Sequence, residues 1–281
     1  MGTCFAPLII ALALAGQDGR IPDPPSSLLW PSRPDNVYDD GVAPPQLVFS
    51  EQSLEATLYT RFDYFAWNEQ YGGDRLLDEY GTLYTLGYQR RLGFNRFRLE
   101  VFDGVVHYEG ATQSGRPVSS TTGYMGARGE GERIWDLDVQ PKATTSFFAG
   151  LGSRIWLRDL RDGTIIGADD YSSGYQETWW TIYPYCGLEK KWLLENNEEI
   201  FLSGRLGCTA MTYQMASLDD AAPLFPRVNI SSQVECGLRY GHFSMSACFE
   251  SMTWQHSAEA RGWIQPDSRM TTVGLKLALN Y

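Results

Sequence analysis

The chain has 281 residues, a formal net charge of −11 and 14% aromatic residues. No strongly basic stretch is present, which removes nucleic acid as a partner. Mean hydropathy is −0.30, and no apolar run reaches the roughly 18 residues of a spanning helix, which removes a helical membrane protein but not a β-barrel, whose alternating strands average to polar.

Residues 1–15, MGTCFAPLIIALALA, hold an apolar run that ends in Ala13-Leu14-Ala15, the cleavage pattern of a secretory signal peptide. Residues 16–50 follow as a Pro-rich lead-in. Pro22, Pro24, Pro25, Pro31, Pro34, Pro44 and Pro45 remove donors and favour extended backbone, so this segment is expected to be a disordered periplasmic tail. The domain reading is therefore a signal peptide over 1–15, a Pro-rich segment over 16–50 and a barrel over 51–281.

From Leu54 onward the chain reads as alternating runs. The first spans about 54–68: Leu54, Leu58, Phe62 and Tyr64 share one face, Glu55, Tyr59, Arg61 and Asp63 the other. Further runs are expected at about 81–93, 95–108, 131–140, 144–159, 175–192, 199–213, 230–240 and 242–256, each apolar on one side and polar on the other. Long polar connections are read at about 69–80, 109–130, 160–174, 214–229 and 257–269, and short turns near Gly93, Pro141-Lys142, Asn196-Asn197 and Gly241.

The last run, Met270 to Tyr281, reads MTTVGLKLALNY. Thr271, Val273, Leu275, Leu277, Leu279 and Tyr281 form its apolar face. It resembles the closing strand of bacterial outer-membrane β-barrels, in which a terminal aromatic and alternate apolar residues are the signal for assembly. That likeness implies that Leu277, Leu279 and Tyr281 address the barrel-assembly machinery. Long and short connections alternate, as loops and turns do on the two sides of an outer-membrane barrel. The expected fold is all-β: one antiparallel transmembrane barrel of about ten strands, both termini periplasmic, in the outer membrane of a Gram-negative cell.

The polar faces collect Arg61, Asp63, Arg91, Arg96, Arg98, Glu100, Arg154, Arg158, Glu189, Arg205, Glu235, Arg239, Glu250 and Lys276. A barrel this narrow leaves little room inside, so these charges are expected to pair into a filled lumen. A narrow pore or a ligand cup is the functional alternative. Cys186 and Cys208 are expected opposite one another on the lipid face, either as a cross-strand disulfide or as free thiols. Cys236 and Cys248 fall on different faces and should not bond. Asp169-Asp170 and Asp219-Asp220 are read as solvated loop carboxylates, with oxygen ligation of Ca²⁺ as the alternative; no metal or cofactor is expected.

Run number, loop pattern, the ending SRMTTVGLKLALNY and the segment GYQETWWTIYPYCGLEKKW look like the omptin family of outer-membrane proteases. The resemblance implies a ten-stranded barrel with catalytic residues at the outer rim: an acidic pair near the second loop, an Asp–His pair near the fourth. Here the second loop supplies Glu109 without an acidic partner, and the fourth supplies Asp219 and Asp220 without a His. His107, Glu109 and His256 are the remaining rim candidates for activating a water. HYEGATQSGRPVSSTTGY is also similar to a recurrent motif of uncharacterised bacterial barrels of this shape. The leading expectation is a non-enzymatic surface scaffold with a charge-filled lumen. A narrow solute channel and an omptin-like protease are the alternatives.

Overall fold

A computed structural model describes residues 54–111, 115–168, 170–194 and 198–281. The expected signal peptide and Pro-rich segment lie outside the described residues. The described residues form β1 (Leu54–Tyr71), β2 (Asp74–Leu92), β3 (Asn95–Ala111), β4 (Pro117–Gln140), β5 (Ala143–Leu160), β6 (Gly163–Ile165), β7 (Tyr171–Ser172), β8 (Tyr175–Leu193), β9 (Glu198–Cys208), β10 (Met211–Ala216), β11 (Ile230–Tyr240), β12 (Phe243–Trp254) and β13 (Asp267–Asn280). β9 and β10 are two parts of one staggered strand, and β6 and β7 are a small hairpin beside β4.

The sheet closes on itself as a ten-stranded antiparallel barrel. β13 pairs with β12 on one side and with β1 on the other, from Thr57↔Asn280 to Gln70↔Asp267. Reciprocal bonds between Ala56 and Tyr281 extend this seam past the last paired residues, N–H to O at 2.8 and 3.1 Å. Closure leaves no unpaired edge between first and last strand, which is what makes a sheet tolerable in lipid.

The period-two pattern sorts the side chains as chemistry requires. Outward positions include Leu86, Leu99, Val101, Leu151, Leu206 and Leu277, all exposed; inward positions include Arg128, Glu100, Glu250 and Arg154, all buried. This inverts a soluble protein and matches a chain set between lipid and a polar interior.

Several expected boundaries move. The stretches read as loops at 69–80 and 109–130 are mostly strand: β1 and β2 join through Gly72 and Gly73 alone, and β4 begins at Pro117. Both glycines have positive φ, 62° and 94°, the left-handed region a two-residue hairpin requires. The alternation of long and short connections therefore fails at its first member. These stretches intersperse Gly, Ser, Thr and charged residues with scattered apolar ones, so no continuous apolar stripe marks them as strand. The strand expected over 199–213 is interrupted at Thr209-Ala210, after which the inward set becomes Thr212 and Gln214. Thr209 is fully buried there and hydrogen-bonds the carbonyls of Asn229 and Thr253, at 3.3 and 3.0 Å. Cys186 lies opposite Leu206 rather than Cys208, because the pairing is two residues out of the expected register. All four described cysteines are free, with Cys236 exposed and Cys248 buried.

Candidate functional site: the filled lumen and its loop-end vestibule

The inward side chains stack in layers from the turn end (Gly93, Pro141-Lys142, Gly241) to the loop end. Nearest the turns, Arg96 bonds Glu132 and Glu189, the latter at 3.0 Å. Lys276 pairs with Glu235, and Arg239 bonds Asn280 Oδ1 at 3.2 Å. Arg91 faces the same cup, in which about 70 Å³ of space remains.

The middle layer is the densest. Arg128 donates to Glu130 Oε1 at 2.8 Å and to both oxygens of Glu250 at 2.9 and 3.0 Å, and its Nε lies 3.6 Å from Glu100. Arg205 and Arg98 donate to Glu130 at 2.9 and 3.1 Å. Arg61 pairs with Asp63 at 2.7 Å and reaches Glu100 at 3.5 Å. The hydroxyls of Tyr59 and Tyr183 donate to Glu100 and Glu130, at 2.6 and 2.7 Å. Arg154 is held differently: its guanidinium lies 4.5 Å from the Phe102 ring centroid and 3.8 Å from Glu250. So many charges out of water are tolerable only because opposite charges and hydroxyls meet nearly every one.

Glycines make this packing possible. A Cβ at Gly87 would sit 2.2 Å from the Tyr59 ring, one at Gly152 2.3 Å from the Tyr183 ring, and one at Gly274 2.0 Å from Asp63 Oδ1. Each polar side chain lies over a bare backbone on the neighbouring strand.

Above this layer lies a tryptophan partition. Trp67 (β1), Trp156 (β5), Trp179 (β8) and Trp254 (β12) are buried together, ring centroids 5.2–6.4 Å apart, with Trp156 stacked on Trp179. These four cross the lumen rather than lining an outer interface. Trp135 and Trp180 do face outward.

Beyond the partition, Arg158 is fully buried among three carboxylates. It donates to Glu79 through Nε and Nη2, at 3.1 and 2.8 Å, and its Nη1 is shared by Glu177 at 2.9 Å and Glu69 at 3.3 Å. Thr122 and Tyr124 hydroxyls also donate to Glu79. Trp67 and Trp179 donate their indole N–H to Glu69 and Glu177, at 2.8 and 2.9 Å. On the β1–β3 side the outward neighbours at this level are Asn68, Gln70, Tyr80 and Glu109, with Arg269 on β13, so Glu69 and Glu79 stand at the polar margin beyond the apolar belt, while Met125 and Leu157 still face outward on β4 and β5. One inward position further on, Tyr108, Ser120, Leu160 and Tyr175 line a vestibule of about 530 Å³ at the loop end.

The rim histidines sit outside this system. His107 Nε2 lies 3.2 Å from Glu109, and His256 Nδ1 lies 3.2 Å from Asp267, both pairs exposed. Of the cluster residues, Glu69, Glu79, Arg128 and Glu130 escaped the sequence reading because their segments looked like loops. Glu132 and Glu177 lay on expected strands and could have been found from inward parity alone.

Comparison with solved structures finds bacterial outer-membrane barrels. The outer-membrane protease OmpT from Escherichia coli aligns with a TM-score of 0.54 at 11% identity, over 84% of this chain and 99% of that one. The β domain of the Bordetella autotransporter BrkA aligns at 0.36 and 12% identity, over 78% and 98%. Neisserial surface protein A aligns at 0.30 and 11%, over 79% and 96%. No protein-family model matches the chain, and no curated protein does. The fold is that of the bacterial outer-membrane β-barrels. At such identities the likeness to OmpT concerns the backbone and carries no catalytic role to this chain.

Proposed function

We propose that this protein is a non-enzymatic outer-membrane scaffold whose lumen is closed and whose loop end binds a ligand outside the cell. The observation that carries this reading is the filled interior. A four-indole partition and a paired ionic layer cross the lumen, and three cavities among the described lumen side chains hold about 70, 20 and 10 Å³. A conducting pore needs a continuous wet path, and ions crossing here would have to break buried pairs.

In this reading an N-terminal signal peptide exports the chain, the short turns and both termini face the periplasm, and the closing strand offers Leu277, Leu279 and Tyr281 to the assembly machinery. The exposed pairs His107–Glu109 and His256–Asp267 are rim polar groups. Planar-bilayer recording of the purified barrel is the direct test, and no single-channel steps are expected. Steady conductance would establish the channel alternative instead. Peptides copying the loops 161–174, 217–229 and 255–266 should compete for the ligand, whereas charge swaps in the ionic layer on the turn side of the tryptophans should leave binding intact. Proteolysis abolished by replacing both His107 and His256 would establish a hydrolase.

A further inference from the structure

The Arg158 cluster has an imbalance that none of the other lumen layers shares. Three carboxylates, Glu69, Glu79 and Glu177, surround one guanidinium, each with an oxygen within 3.3 Å of an Arg158 nitrogen. All four side chains are buried. Three negative charges against one positive, held this close and away from water, cannot all persist in this arrangement without a proton.

The hydrogen bonds show where a proton belongs. Glu79 takes two Arg158 nitrogens and the hydroxyls of Thr122 and Tyr124, so its charge is fully met. Glu69 and Glu177 divide a single nitrogen, Nη1, and each receives one indole N–H besides. Of these two, Glu69 holds the longer contact. The other titratable groups facing the cluster are Tyr108 of β3, Tyr124 of β4 and Tyr175 of β8, which add hydroxyls and no positive charge. Tyr108 and Tyr175 also line the vestibule, which supplies a route for water and protons.

We propose that this cluster is a proton-operated latch: with one proton held between Glu69 and Glu177 it ties β1, β2, β4, β5 and β8 across the loop end, and on losing that proton it loosens the vestibule floor. When the proton leaves, the two carboxylates sharing Nη1 repel, and Glu69, next to the β1–β2 hairpin, turns toward vestibule water. Burial raises the Glu69 carboxyl from 4.5 to about 7, with Arg158 opposing the rise. A group whose folded-state value is raised stabilises the fold fully below its unfolded value and loses that contribution as pH rises through the folded one. The latch is therefore closed near pH 4.5 and opens as pH passes about 7.

The full-length barrel, folded in detergent, can be titrated by tryptophan emission and melted across this range. Trp67 and Trp179 donate directly to the titrating pair and report its charge. The wild type should show an emission change centred near neutral pH and a lower melting temperature above it than below. Glu69→Gln should abolish the emission change and melt alike at both pH values, while Glu109→Gln at the rim should behave as wild type. If Glu69→Gln gives no fast-migrating folded band on an unheated gel, Glu177→Gln carries the same test, since it removes a charge from the same nitrogen. A flat wild-type titration overturns the proposal. So does a transition that survives in whichever of these two variants folds.

Discussion

At the scale of single residues, the lumen is governed by completeness: a buried charge is tolerable when its partners are present and damaging when they are not. Arg128 shows this most sharply, since it serves Glu130 and Glu250 directly and lies within reach of Glu100. Replacing it with Met keeps the bulk but leaves the carboxylates it serves short of positive charge. Arg128→Met should cost about 3–5 kcal/mol of folding stability, read by urea unfolding in micelles. A wild-type midpoint would mean the network reorganises freely. The glycine seats give a steric counterpart. At position 87 a methyl would strike the Tyr59 ring and push its hydroxyl from Glu100. Gly87→Ala should therefore destabilise by about 1–3 kcal/mol, although alanine suits a strand better than glycine in most settings. The same unfolding curve measures it.

Single strands owe their placement to two solvents at once. β3 sets Phe97, Leu99 and Val101 outward while Arg96, Arg98 and Glu100 turn inward, so any slip by one residue would exchange lipid for charge. An arginine at position 99 would place a cation on the lipid face. Leu99→Arg should cost about 2–4 kcal/mol if the residue lies near the bilayer centre, falling toward zero near an interface. Its effect on vesicle-refolded protein thus measures the depth of β3. Register also decides the cysteines. Cys186 faces Leu206, and Cys248 points inward while Cys236 points out. Folded protein should run identically with and without reductant, and a mobility change on reduction would contradict this register.

At the largest scale the described barrel, Leu54 to Asn280, is closed and internally braced. Its ring of backbone hydrogen bonds cannot fray from an edge, and lumen pairs join strands remote in sequence, such as Arg128 to Glu250. A folded barrel should resist the loading detergent and migrate faster than a boiled sample. One band, independent of heating, would argue against closure. The layering has a consequence for ligands as well. In the proposed closed-lumen reading, the indole partition beneath the loop-end vestibule makes it a blind cup rather than the mouth of a tunnel.

Alternation along each strand is a local property, and for that reason the sequence alone determined the class of fold, the inward and outward faces, and the strand that closes the ring. Arg61, Asp63, Arg98, Glu100, Arg154, Glu189, Arg205, Glu235, Glu250 and Lys276 could be placed inside by parity, because lipid excludes them from the other face. Who pairs with whom was decided only by the tertiary structure. Stagger between neighbouring strands brings Glu130 to Arg205 and sets four tryptophans from β1, β5, β8 and β12 at one height. It also gathers Glu69, Glu79 and Glu177 around Arg158. Beyond the membrane the two-solvent contrast weakens, apolar residues scatter among polar and charged ones, and the local signal fades. There β1 to β4 run on through segments that read as loops, and only their pairing with neighbours shows them to be strands.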